Sequence, residues 1–138
     1  MSGWIGVDFD GTLAEYGTWQ GPTHVGKPVA AMLFRVRKWL ADGREVRIFT
    51  ARAFPLGLIE PTHDVPEAAP AGTVLATREQ IAAEAVHAIR AWCLEHVGQV
   101  LPITCIKDYG MVELYDDRAV QVEMNTGRLI GQSTRGLT

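Results

Sequence analysis

Four short apolar runs in this chain each stop abruptly at a polar cluster, and that repeated pattern limits the folds open to it. Trp4-Ile5-Gly6-Val7 runs into Asp8, and residues 46–49 run into Thr50-Ala51-Arg52. Residues 102–106 lead to Lys107-Asp108, and residues 111–115 lead to Asp116-Asp117. Apolar runs of this length bounded by polar residues read as buried strands, with the polar clusters at their carboxyl ends.

The intervening segments carry helical periodicity. Pro28 suits a first helical turn, and Val29, Met32, Leu33, Val36, Trp39 and Leu40 recur at three- and four-residue steps until Gly43. Further on, Thr77 and Gln80 have the spacing of a capping box, and Ile81, Ala85, Ile89 and Trp92 share one helical face before Gly98. Strands alternating with helices predict an α/β fold with a mostly parallel sheet and flanking helices, because parallel neighbours need crossover connections. In such sheets ligands bind at the carboxyl ends of the strands, where all four polar clusters fall.

Two stretches lack periodicity. Residues 14–27 contain Gly17, Gly21, Pro22 and Gly26 and read as a flap loop. Residues 53–76 contain Pro55, Pro61, Pro66 and Pro70 and predict a long loop near the site. Residues 119–123, the Asn125-Thr126-Gly127 turn and residues 128–130 predict a closing hairpin. Only Lys107 to Gly110 separate the third and fourth apolar runs, whereas a parallel crossover takes about a dozen residues. Either the third run is not a full strand, or the sheet is abbreviated after it.

A chain of 138 residues is the size of one domain, 1–138, and 47% apolar with 21% charged residues is ordinary for a globular protein. The thirteen Lys and Arg are scattered and the net charge is -3, which argues against binding extended nucleic acid and leaves a local phosphate site open. Cys93 and Cys105 lack metal-ligand spacing and read as reduced thiols of a cytoplasmic protein. No apolar run approaches the roughly 18 to 20 residues that span a bilayer, so no membrane partner is expected.

The chemistry concentrates in Asp8-Phe9-Asp10-Gly11-Thr12, which sets two carboxylates two residues apart at a strand exit, with Gly11 permitting a close backbone approach. Thr50 can donate a hydroxyl proton to a phosphate oxygen. Arg52 can add a bidentate contact. Asp116 and Asp117 would repel nearby carboxylates unless a cation joined them. Tyr16, Trp19 and Tyr109 could stack on a ring, while His24, His63, His87 and His96 have no metal-ligand partners at suitable spacing.

D-x-D-G-T, an apolar strand ending in Thr, a downstream Lys and a late acidic pair together resemble the motifs of the haloacid dehalogenase (HAD) superfamily in order, over residues 4–117. The resemblance implies a Rossmann-like core and a small phosphatase with little or no cap. It implies Mg2+ held by Asp8, the Asp10 backbone and Asp116 or Asp117, with Asp8 as nucleophile and Asp10 as general acid and base. Thr50, Ala51, Arg52 and Lys107 would bind the phosphate. The implied substrate is a small phosphorylated molecule, a nucleotide or a nucleic-acid end. A polynucleotide 3′-phosphatase is one alternative, since Thr50-Ala51-Arg52 and Asp116-Asp117-Arg118 look like motifs of that branch. A catalytically silent phosphate- or metal-binding module is another.

Overall fold

A computed structural model describes residues 3–131. Strands β1 (Trp4–Asp8), β2 (Glu45–Phe49), β3 (Ile103–Thr104) and β4 (Met111–Tyr115) form one parallel sheet in the order β3-β2-β1-β4. Helix α1 (Ala30–Ala41) joins β1 to β2, and α2 (Arg78–Trp92) joins β2 to β3. The α/β fold expected from the alternating pattern is present, and its architecture is compatible with a Rossmann-like core.

Both crossovers step in the same direction along the sheet, so right-handed connections put both helices on one face. That face carries Ile5, Val7, Val46 and Ile48. They pack with Met32 and Val36 of α1 and with Val86 and Ile89 of α2. The opposite face alternates with these residues and carries Trp4, Gly6 and Arg47.

Residues 105–110 cross that second face from β3 to β4 without a helix. β3 ends level with Phe49, and β4 begins level with Trp4, three strand positions away. The diagonal is about 19 Å; four extended steps from Thr104 to Asp108 reach about 14 Å, and the turn over Asp108–Met111 adds up to about 7 Å. A short connector therefore just suffices, an extended piece followed by one turn, with β3 cut to two residues. Asp108 anchors the crossing by accepting from Trp4 Nε1 at 2.8 Å, beside Arg47 at 3.6 Å. Gly110 lies where a Cβ would come within 2.9 Å of the Trp4 ring.

Other boundaries shift for local reasons. Pro28 is outside α1, because it bridges Ala14 in extended backbone and Val29 donates to the Leu13 carbonyl before the helix begins. The capping box at Thr77 and Gln80 forms in full, and α2 runs on into a π-helical turn, Cys93–Val97, that ends at Gly98 with φ of +98°. The closing hairpin is shorter than expected. β5 (Gln121–Val122) and β6 (Leu129–Ile130) pair antiparallel in a separate two-stranded sheet. Cys93 and Cys105 are free thiols.

The long loop after β2 is strapped along one side of α2. Glu84, His87 and Arg90, three residues apart on one helix face, bind the backbone of Ala69, Pro66 and Glu60 respectively. Ile59 of this loop exchanges two backbone hydrogen bonds with Ile103, which covers the outer edge of β3. Among the described residues, no helix is long and apolar enough to cross a membrane.

Candidate active site

The residues that close β1 owe their placement to Phe9. Its side chain is fully buried and meets Trp92 edge to face, ring centres 5.1 Å apart. With Phe9 held in the core, strand alternation turns Asp8 and Asp10 outward, into a cavity of about 390 Å³ at the carboxyl ends of β1, β2 and β4. Asp8, Asp10, Thr50, Ala51, Arg52 and Asp117 all line it.

Parallel pairing of β1 with β4 brings the late acids to Asp8. Val7 is level with Tyr115, so the residues that follow each strand lie side by side. One carboxylate oxygen each from Asp8, Asp116 and Asp117 falls within 4.8 Å of the others. Gly11, at φ +87°, makes this approach possible, since a Cβ there would stand 2.6 Å from Asp117 Oδ2. Thr12 Oγ1 accepts from the Asp117 backbone N–H at 2.9 Å and lies within hydrogen-bond reach of Asp117 Oδ1 and Asp8 Oδ2. It ties the two strand ends together.

Burial, then the neighbouring Asp117 and Asp116, push the Asp8 carboxyl up to about 7 from the ordinary 3.8, against a smaller lowering by the Thr12 hydroxyl. None of the three acids forms an ion pair among the described residues. An all-oxygen set with unbalanced negative charge fits a hard divalent cation such as Mg2+.

Asp10 lies in different company. Arg52 Nε donates to Asp10 Oδ2 at 2.7 Å, and Nη2 donates to Oδ1 at 3.0 Å. The same guanidinium donates to the carbonyls of Pro22 and His24, in the flap, and stacks on Trp19 at 4.9 Å. Four of its five N–H groups are therefore occupied, and the side chain is 5% exposed. Arg52 was expected to clamp phosphate. In the structure it lines the cavity with its N–H groups turned to the Asp10 carboxylate and to the flap carbonyls. The flap's own neck is joined by Glu15 N–H to the Lys27 carbonyl, at 2.8 Å.

The chain matches no protein-family model, no curated protein and no solved structure.

Thr50 is buried and caps the short 3-10 turn Ala51–Ala53, accepting from the Arg52 N–H at 3.1 Å. Its own proton stays available to a ligand in the cavity. Lys107 is exposed and is not among the lining residues, because the connector that carries it crosses the sheet's other face. Tyr16 and Trp19 reach the cavity, and Tyr109, fully exposed on the connector, does not.

Arg118, already noted in the run Asp116-Asp117-Arg118, also lines the cavity, as do Phe54 and Arg78, Ile81, Ala82 and Ala85 of α2, which the sequence did not single out for this purpose. Residues 78, 81, 82 and 85 follow the i, i+3, i+4, i+7 rule for one helix face. That signal is legible, and it sets Ile81 and Ala85 on one helical face with Ile89 and Trp92 without showing what the face meets.

Proposed function

We propose that the chain is a magnesium-dependent phosphomonoester hydrolase of the HAD type that acts through an aspartyl-phosphate on Asp8. The observation that carries this reading is the pairing, in one cavity, of a cation-poor carboxylate trio at Asp8 with a second carboxylate, Asp10, held in place by Arg52. A phosphomonoesterase needs both a nucleophile and a proton carrier within reach of one phosphorus, and the two residues stand two apart on one strand exit.

In the first half of the reaction Asp8 Oδ attacks phosphorus, the bond to the leaving oxygen breaks, and Asp10 hands that oxygen a proton. In the second half Asp10 takes a proton from water, and the hydroxide oxygen attacks phosphorus. The Asp8 acyl-phosphate bond then breaks, releasing phosphate and returning Asp8 as a carboxylate and Asp10 as the carboxylic acid that began the cycle. Arg52 holds Asp10 in one rotamer through both steps. The Thr50 hydroxyl donates to a phosphate oxygen. Asp8, Asp116 and Asp117 would hold Mg2+, which would supply the charge neutralisation that lets a carboxylate approach an anionic phosphate.

The test is magnesium-dependent phosphate release from p-nitrophenyl phosphate, then from nucleotides, sugar phosphates and DNA 3′-phosphates. Turnover that requires Mg2+ and disappears in Asp8→Asn is the expected result. Absence of turnover across the whole panel, or equal turnover by Asp8→Asn, would overturn the reading.

A further inference from the structure

Beyond the carboxylates the cavity has a wall that phosphoryl transfer does not use. Phe54, from the loop after β2, and Ile81, Ala82 and Ala85 of α2 form it, and Tyr16 and Trp19 of the flap complete it. Ala82 and Ala85 are buried, and their small side chains make a recess. The four large members stay open to solvent: Tyr16 is 47% exposed, Trp19 51%, Phe54 57% and Ile81 38%. A gathering of large apolar side chains at the mouth of a polar cavity is the signature of a ligand surface rather than of core packing.

Charge is distributed on the same wall in a specific way. Of the three arginines in the cavity, Arg52 is committed to Asp10 and the flap. Arg78 and Arg118 make no ion pair among the described residues. The Arg78 guanidinium stands 5.9 Å from the centre of the Phe54 ring, so a flat surface and an uncommitted cation occur side by side. A polyhydroxylated sugar phosphate gains little from such a wall, because its hydroxyls would be desolvated against Phe54 and Ile81 without partners. A ring that carries an anion meets both features.

We propose that this wall is the leaving-group subsite, and that it takes phosphomonoesters whose leaving group bears a flat aromatic or heteroaromatic ring and a second anionic group bound by Arg78. A nucleotide with two separate phosphates, free or at a polynucleotide end, has that chemistry. The proposal rests on the phosphohydrolase reading and adds to it a class of substrate. One phosphate faces Asp8, the ring lies on Phe54 and Ile81, and the second phosphate meets Arg78 as a charge-assisted, bidentate contact.

The test compares kcat/KM for a nucleoside 3′,5′-bisphosphate, the corresponding nucleoside monophosphate and ribose 5-phosphate, with a short 3′-phosphorylated DNA oligonucleotide as the polymer arm. Each step down the small-molecule series is expected to lose about 10-fold, the size of one hydrogen-bonded charge contact or one ring contact. Arg78→Gln should bring the bisphosphate-to-monophosphate ratio to near unity, and Phe54→Ala should do the same to the nucleotide-to-sugar ratio. An oligonucleotide preferred over the free bisphosphate assigns the subsite to polymer ends, and the reverse assigns it to free nucleotides.

An active enzyme with equal kcat/KM across the series, or with ratios unmoved in both variants, overturns the subsite and leaves the hydrolase reading standing. If nothing is hydrolysed, p-nitrophenyl phosphate included, the hydrolase reading fails, and binding decides the subsite separately. In Asp8→Asn, the bisphosphate should then quench tryptophan fluorescence, and Trp19→Phe should remove that quenching. Equal affinity for ribose 5-phosphate in this assay would reject the proposal.

Discussion

Asp10 is gripped by Arg52 at 2.7 and 3.0 Å, whereas Asp8, two residues earlier on the same strand exit, meets a hydroxyl and two further carboxylates and no cation among the described residues. One half of the cavity is electrically closed by the chain itself. The other half leaves its charge to be balanced from outside. The difference follows from topology: β2 ends beside β1 and delivers Arg52, while β4 ends on the opposite side and delivers Asp116 and Asp117. A carboxylate held by its own cation and a carboxylate cluster without one therefore arise from neighbours on the two sides of one strand.

The largest effect should come from the open half. Asp8→Asn is expected to abolish turnover, by more than about 10³-fold, since an amide of the same shape cannot serve as the nucleophile. Steady-state phosphate release in Mg2+ reads this out. For Asp10→Asn the expected loss is about 10² to 10⁴, the usual contribution of a positioned proton carrier. If the two variants lost equally little, the division of labour between the halves would be wrong.

The closed half can be broken through its cation. Arg52→Ala leaves the Asp10 carboxylate and the Pro22 and His24 carbonyls without their donor, and should cost about 2 to 3 kcal/mol of stability. Thermal unfolding should show this as a fall of roughly 5 to 10 °C. Arg52→Lys should recover part of the stability, while the rate stays low because one ammonium cannot bind both oxygens in a plane. Full recovery of the rate by Lys would mean that Arg52 supplies charge alone.

The open half should show a pH signature without metal. The folded state raises the Asp8 carboxyl from 3.8 to about 7, so it holds that proton more tightly than the unfolded chain. Its contribution to stability is present below about pH 4 and is lost as pH rises through 7. In EDTA at pH 8, Asp8→Asn should thus be more stable than the parent by on the order of 1 kcal/mol, after a discount for solvent screening. The difference should vanish below pH 4. Mg2+ should stabilise the parent and not the variant, and Asp116→Asn with Asp117→Asn should raise the Mg2+ needed for that shift.

The smallest effect belongs to Lys107. Its side chain is outside both halves of the cavity, and Lys107→Ala should keep kcat/KM within about twofold, as exposed substitutions away from a site usually do. A hundredfold loss would bring the connector back to the phosphate.

The local features were legible in the chain wherever a short window contained the whole physical cause. The apolar runs that became β1, β2 and β4 could be read by hydrophobic run length, and the Thr77–Gln80 capping box by spacing alone. The site acids were legible because they all fall at or just past the carboxyl ends of strands. Arg52 was visible as a cation beside the site, yet its engagement was not, since its partners Asp10, Pro22 and His24 are 28 to 42 residues away.

The rest was decided by packing. A helical period marks which residues share a face but not what that face meets, so the face carrying Ile81 and Ala85 could be drawn without showing that part of it lines the cavity. The length of residues 105–110 ruled out an ordinary helical crossover. It did not say whether the chain could still reach a parallel β4, which depends on how short β3 is and on Trp4 and Arg47 accepting Asp108 across the open face. Sequence by itself determined the strands, the helices and the acids at the strand ends, because those follow from local hydrophobicity and backbone chemistry. Only the tertiary structure decided which charges would be neighbours, because side chains as far apart in the chain as Thr12 and Asp117 meet only when β1 and β4 pair.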